Sequence, residues 1–407
     1  MTSIVIKNVG PIVDTGLLEL SRFNVFIGKQ STGKSTIMKI LCFCKWIEKR
    51  VVMGDDNKVI YNYTHYLRFL RELKQFHRLN DNFFNAKSEI HYSGKYVSID
   101  LVGSRNNAKI NLSSNFDGNR LNTKLCFIPS ERNLVSAIKN LDRAYRSNEF
   151  DVLFNHISEW GEIKRNYSEE RSISLTVVNN MEYYYDTKSE QDFIKIESGR
   201  KKIDPFYASS GVQSVLPLVV MTDYLTGPVF DARAAITNFS FRNFIQELAS
   251  KNKLTTLDNA LDEFTQSYGY KSTQLFIEEP EQNLFPESQQ ALINFIVLSI
   301  NNATQKTKHD SSVSMTTHSP YVITALNVLI KAYKAAKIDS EKTSEIIPKD
   351  SGVSIDDVKA YYLCEDGTLA NIVDKEIGII SGVELDMASE IVENKLSLLD
   401  DIIYENE

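Results

Sequence analysis

The stretch Gly28-Lys29-Gln30-Ser31-Thr32-Gly33-Lys34-Ser35, followed by Thr36, constrains this chain more than any other. Two glycines bracket four residues and Lys-Ser follows, which is the phosphate-loop pattern in full. The run before it, Phe23 to Ile27, reads as a short buried strand. After it Ile37, Ile40, Leu41, Cys44 and Ile47 recur at helical spacing, so strand, loop and helix come in the order the pattern needs. Glycines let backbone N–H groups curl around phosphate oxygens, and the helix start adds the positive end of its dipole. In such a loop Lys34 reaches the β- and γ-phosphates and the Ser35 hydroxyl takes a place on Mg²⁺. The residues therefore imply a nucleotide cradle, with ATP and Mg²⁺ as its ligands.

Bulk properties narrow the rest. The chain has 407 residues, is 42% hydrophobic and 24% charged, and carries a net charge of −7. Those values belong to a globular protein rather than a basic coat for nucleic acid, although local basic patches remain open. No apolar run approaches a membrane span, and the N-terminus begins a strand pattern rather than a signal peptide. A cytoplasmic location with no membrane partner is expected. Cys42, Cys44, Cys126 and Cys364 form no Cys-x-x-Cys and read as reduced thiols.

The expected organisation places a nucleotide-binding core with an antiparallel meander at 1–133 and a helical and β lobe at 134–270. The core is completed at 271–340, and a tail packs on it at 341–407. Two or three strands are expected before the loop, and the meander comes from period-two runs between Ser88 and Leu112. Helices are expected over 134–165, 212–225, 238–268 and 387–399, and a polar loop over 303–312. The tyrosines at 183–185 read as strand packing.

Three further constellations carry chemistry. Gln274 to Ile277 is an apolar strand ending in Glu278-Glu279-Pro280-Glu281. A phosphate-loop ATPase needs a carboxylate for the metal shell and one for the attacking water, assigned here to Glu278 and Glu279. Thr317-His318-Ser319-Pro320 follows another apolar strand, where an imidazole can hydrogen-bond a γ-phosphate. Ser209-Ser210-Gly211 opens a helical run, a second anion-binding shape that is also an ordinary N-cap.

Loop, Ser-Gly helix start, double glutamate and strand-end histidine, in that order, resemble the ABC-type ATPase heads of the SMC and RecF class. More narrowly the chain is similar to the bacterial ATPases of the overcoming-lysogenisation-defect (OLD) group. The residues carrying this are Ile6 to Pro11, Phe127 to Asn133, Ser210 to Gln213, Glu278 to Glu281 with Leu284 and Pro286, and Thr317 to Pro320. The resemblance implies an α/β phosphate-loop fold of ABC type, with a mixed central sheet, an antiparallel meander and a helical signature lobe. It implies a head-to-tail dimer in which Ser210 and Gly211 of one copy meet the γ-phosphate held by Lys34 of the other. Glu279 would be the general base, His318 the switch histidine, and Glu281 to Leu284 the crossing loop. Glu131 and Arg132 stand near the nucleotide, where a helix-start salt bridge explains them equally well. Between Lys34 and Ser210 no heptad arm appears, and the tail after His318 is short for a Toprim nuclease. The implied setting is anti-phage defence with a separate effector, a nuclease or toxin; the alternative is a RecF-like clamp on DNA.

Overall fold

Alternation decides the first layer. The computed structural model describes residues 2–54, 56–114, 121–145, 150–178, 181–196, 201–231, 264–265 and 268–382. Strands β1 (Thr2–Val9), β2 (Ile12–Asp14) and β3 (Leu18–Leu20) fold back on one another before β4 (Phe23–Gly28) enters the loop. Helix α1 (Lys34–Met53) leaves the loop, followed by α2 (Asp56–Tyr63) and α3 (Arg68–His77). Then β5 (Phe84–Ser93), β6 (Val97–Val102) and β7 (Lys109–Leu112) form the expected meander. It joins β1 in a six-stranded antiparallel sheet, ordered β2-β1-β5-β6-β7 with β3 on β1. In β6 every second side chain is buried, so one face of this sheet packs inward.

The second layer is the central sheet. It combines β4 with β8 (Thr123–Ile128) and four later strands. Between them come the short helices α4 (Leu134–Ala137) and α5 (Leu141–Ala144), then α6 (Val152–Ile163). The helix expected over 134–165 is thus broken: Ile138 and Tyr145 at the helix ends take extended backbone, and Asn140 is left-handed. A small antiparallel sheet follows, β9 (Ile173–Leu175), β10 (Met181–Asp186), β11 (Gln191–Ile196) and β12 (Lys202–Ile203). Tyr183, Tyr184 and Tyr185 are buried in it as strand packing.

Helix α7 (Ser210–Thr226) precedes β13 (Ser272–Glu278), α8 (Pro286–Thr307), β14 (Ser312–Thr317) and α9 (Pro320–Ala336). The polar loop expected over 303–312 is largely helix, because α8 keeps an apolar face through Ile300 and Ala303. The chain returns as β15 (Val358–Leu363) and β16 (Leu369–Asn371). The helix expected over 387–399, and nearly all of that over 238–268, lie outside the described residues.

The central sheet runs β16-β15-β4-β14-β13-β8, parallel throughout except β16. Both its faces are covered. Phe23, Val25 and Ile27 of β4 join one core with α7, α8 and α9, while Phe26 joins the other with α1 and the meander. Continuous apolar strands are the signature of such a sheet. Among the described residues no helix is long and apolar enough to cross a membrane.

Candidate nucleotide site

The strand order sets the site. Neighbouring strands lie about 4.8 Å apart, and β4, β14, β13 and β8 all end on one edge. That edge therefore carries, in a row, the glycine loop, His318, the double glutamate and Ser130 to Arg132. Ligands of open α/β sheets bind outside these carboxyl ends.

Gly33 has φ 109°, and a Cβ there would stand 2.9 Å from Ile12 Cγ1. Only glycine turns the chain there into α1. The first intrahelical donor is Ile37, bonded to Gly33 O at 3.0 Å. The amides of Lys34, Ser35 and Thr36 precede it, leaving N–H groups at the positive end of a twenty-residue helix. Gly28 to Thr36 thus form one contiguous turn with Lys34 inside it. The Lys34 ammonium donates to Gly28 O at 2.8 Å and Lys29 O at 2.6 Å, and lies 3.4 Å from His318 Nδ1. Thr32 Oγ1 donates to Lys29 O, and exposed Lys29 pairs with Glu365 in the turn after β15.

His318 is the link. Its Nε2 stands 3.2 Å from Glu279 Oε1, so lysine, imidazole and carboxylate form one chain of contacts across three strand ends. Glu281 braces the histidine, accepting at Oε1 from His318 N at 2.8 Å and Thr317 Oγ1 at 2.7 Å. Glu279 sits at φ 43°, a left-handed value that a non-glycine residue holds only when its surroundings impose it. Its amide is bonded to Thr316 O at 3.0 Å.

The charges are tuned unequally. The hydrogen bond with His318 holds Glu279 below the usual carboxylate range, with Lys34 and Arg132 helping against partial burial. Burial pushes Glu278 up, opposed by Lys39, the nearby Ser35 hydroxyl and the Ser130 amide. Glu278 Oε2 accepts from Ser130 N at 3.3 Å, but the buried Oε1 has no hydrogen-bond partner. An orphan carboxylate oxygen beside a serine hydroxyl suits a Mg²⁺ that keeps most of its shell for water and phosphate. Among the described residues no group of three or more His, Cys, Asp or Glu could hold a metal ion by itself, consistent with so sparse a donor set.

Burial brings the Lys34 ammonium down to about 8, against the pull of Glu279 and Glu281. A triphosphate beside it must raise that value again. Below about pH 8 the lysine meets the phosphate already charged; above it, binding must take up a proton. ATP affinity is therefore expected to be flat to about pH 7.5 and then to fall, approaching about tenfold per pH unit. Titrations between pH 7 and 9.5 measure this, and a level profile would mean that the free Lys34 ammonium is already charged throughout that range.

Arg132 is the residue that sequence reasoning placed least well. It is wholly buried and makes no salt bridge at a helix start. Its guanidinium donates to Glu278 O at 2.7 Å, Glu279 O at 2.8 Å and Ser214 O at 3.1 Å. It thereby ties the end of β8 to the double-glutamate turn and to α7. Burial lowers it to about 10, with Glu281, Glu279 and Glu278 acting the other way. Glu131 stays exposed.

At the start of α7, Ser209 rather than Ser210 is the N-cap, accepting from Val212 N. Ser210 is exposed and Gly211 partly so. A Cβ on Gly211 would lie 2.9 Å from Asn283 O, and Asn283 Nδ2 donates to Ser214 Oγ at 2.9 Å. The helix start is thus seated on the turn after Glu279. Ser210 has no contact with Lys34 within the chain among the hydrogen bonds described.

The basic stretches that would favour nucleic acid are mostly satisfied internally. Arg68 pairs with Glu72, Lys74 with Asp81, Arg78 with Asp151 and Lys202 with Glu169.

No family model matches the chain, and no curated protein matches it. Solved structures that align with the chain include an SMC head domain from Thermotoga maritima, at 10% identity and a TM-score of 0.35 over 91% of this chain and 97% of that one. An SMC head from Pyrococcus furiosus, bound to the C-terminal domain of ScpA, is 9% identical with a TM-score of 0.38 over 97% and 99%. The recombination mediator protein RecF is 9% identical with a TM-score of 0.37 over 91% and 97%. At scores this low, none of the three says what this chain binds or does.

Proposed function

We propose that the chain is an ABC-type ATPase that binds and hydrolyses ATP and uses the nucleotide to gate association of two copies. The observation that carries this is the continuous Lys34–His318–Glu279 contact at the mouth of the glycine loop. Gly28 to Thr36 hold the phosphates through backbone amides, and Lys34 neutralises them. Ser35 and Glu278 would hold a Mg²⁺, which would supply further charge neutralisation on the triphosphate. Glu279, kept ionised by His318, accepts the proton of the attacking water. His318, touching both Lys34 and Glu279, is placed to register the γ-phosphate.

The second copy enters through Ser210 and Gly211. Exposed rings flank each of the segments involved: Tyr207 is 71% exposed, Phe285 72% and Tyr321 50%. Apolar rings bordering a polar site are what a partner surface covers. ATP then holds two chains together while its γ-phosphate is intact, and hydrolysis releases them. On the sequence resemblance alone, the setting is bacterial anti-phage defence, with this cytoplasmic ATPase of the OLD-like group controlling a separate nuclease or toxin. The alternative is a RecF-like clamp on DNA, for which Arg68, Lys74, Arg78 and Lys202 are already paired with carboxylates.

Two substitutions divide the proposal. Lys34→Ala is expected to weaken ATP binding by at least about a hundredfold, the loss of a charged hydrogen-bond donor and its field. Undiminished affinity by calorimetry would refute the loop's role. Ser210→Arg, at an exposed position, is expected to leave ATP affinity within a few-fold while abolishing hydrolysis and association. Normal turnover in that variant would refute the shared site.

A further inference from the structure

Away from the nucleotide edge, a cavity of about 410 Å³ opens between α1, α3, α6 and β8. Its walls are aromatic: Phe43, Trp46, Phe76 and Phe127 line it. Its charges do not balance. Lys124 is taken by Glu159 at 2.7 Å, and Glu159 also accepts from Cys126 Sγ. Glu72 is taken by Arg68 and by Tyr63 at 2.6 Å. Lys49 remains, and among the described residues its ammonium meets only the face of Tyr270, 4.9 Å from the ring centre. A lone cation over one ring in a half-enclosed cavity is poorly compensated.

A second group is short of a partner. His77 also lines the cavity, is fully buried, and has no hydrogen bond at either ring nitrogen. Phe76 and Phe127 make T-shaped contacts with its ring at 4.9 and 5.3 Å, and neither offers a conventional acceptor atom. Buried polar atoms left so are few in folded proteins and ask for an explanation.

We propose that this cavity binds a small aromatic monoanion, a carboxylate on a flat apolar body, with Lys49 as counter-ion and His77 as a hydrogen-bonding neighbour. The volume falls in the lower part of the range for small-molecule sites. One unmatched positive charge calls for a single negative one, and the ring-lined walls for a planar body. Burial and the nearby Lys124 ammonium hold Lys49 down to about 7, with Glu159 opposing; a bound carboxylate relieves that cost. The place matters. The wall residues of α1 lie on the helix that begins at Lys34, and β8 runs from Lys124 to the turn carrying Arg132. An occupant therefore touches two elements whose far ends form the nucleotide site.

The test uses the full chain and 8-anilinonaphthalene-1-sulfonate, a fluorescent aromatic monoanion. One saturable site per chain is expected, displaced by 1-naphthoate and not by neutral 1-naphthamide. Of the two tryptophans only Trp46 lines the cavity, while Trp160 lies on α6 beside the lining residue Glu159, so energy transfer to the probe should fall, without vanishing, in Trp46→Phe. Lys49→Met should weaken naphthoate at least about tenfold, the share of a charged hydrogen bond. The Lys34→Ala substitution should leave the probe's binding unchanged, which separates this site from the nucleotide one. The proposal falls if no saturable site appears, if the amide competes as well as the acid, if Lys34→Ala abolishes the probe's binding, or if transfer is undiminished in Trp46→Phe. Should Lys49→Met fail to fold, the acid–amide comparison on the unaltered chain decides.

Discussion

Glu279→Gln is expected to lower ATP turnover by about a hundredfold to ten-thousandfold, the usual share of a positioned general base. Glutamine keeps the length and the contact with His318 Nε2, 3.2 Å away in the unaltered chain. What it removes is a carboxylate able to take a proton. Because Lys34 and the loop amides are untouched, ATP should bind as before and remain intact. The substituted protein should then elute as a larger species with ATP than without it. A turnover within a few-fold of the original would exclude Glu279 as base, and an unchanged elution volume would remove the shared-nucleotide model. The left-handed backbone at Glu279 gives the side chain its direction, so Glu279→Asp is no mild change. The shorter arm leaves the same strained turn without reaching the same point.

The largest effect on stability is expected from Arg132→Met. Methionine replaces most of the apolar volume but removes the guanidinium donors from the buried carbonyls of Glu278, Glu279 and Ser214, of which Glu279 O keeps the Gln282 amide at 3.1 Å. Each such loss costs about 1–3 kcal/mol, and the set about 3–5 kcal/mol once the turn relaxes. Against a total of about 5–15 kcal/mol for a domain, that is a large fraction. Urea unfolding followed by circular dichroism measures it. Arg132→Lys should recover part of the loss, since an ammonium can still donate to one or two of the three oxygens. If the methionine variant unfolded at the original urea concentration, the three contacts would be idle. Activity should fall with stability, because the same carbonyls belong to the residues that aim both carboxylates.

What could be read in advance, and what could not, follows from how each feature is written. The loop, the double glutamate and His318 are contiguous strings at strand ends, and their chemistry resides in side chains that the string displays. The parallel order bringing them together follows from strands too apolar to face water on either side. Arg132 left no such trace: its partners are backbone oxygens, and any residue type supplies those. The unequal burial of Glu278 and Glu279 was equally invisible, since β13 ends at Glu278 and Glu279 turns away on a left-handed backbone that side-chain pattern does not encode. The cavity beside α1 escaped for a related reason. Phe43, Trp46 and Lys49 read as an ordinary mixed helix face until α3, α6 and β8 are set around them. Helix ends misjudged at 134–165 and 303–312 reflect local backbone choices that hydrophobic spacing does not encode.

Strand β4, which delivers the glycine loop, is flanked by β14 at residues 312–317 and β15 at 358–363. Neither flank exists until most of the polypeptide has been made. During synthesis the cradle sequence emerges from the ribosome about 280 residues before β14, so it has no flanking strands to stand between until that stretch has followed. Nascent chains should consequently be blind to ATP until β14 and β15 have emerged, and a ribosome stalled before them would expose an idle loop rather than a premature switch.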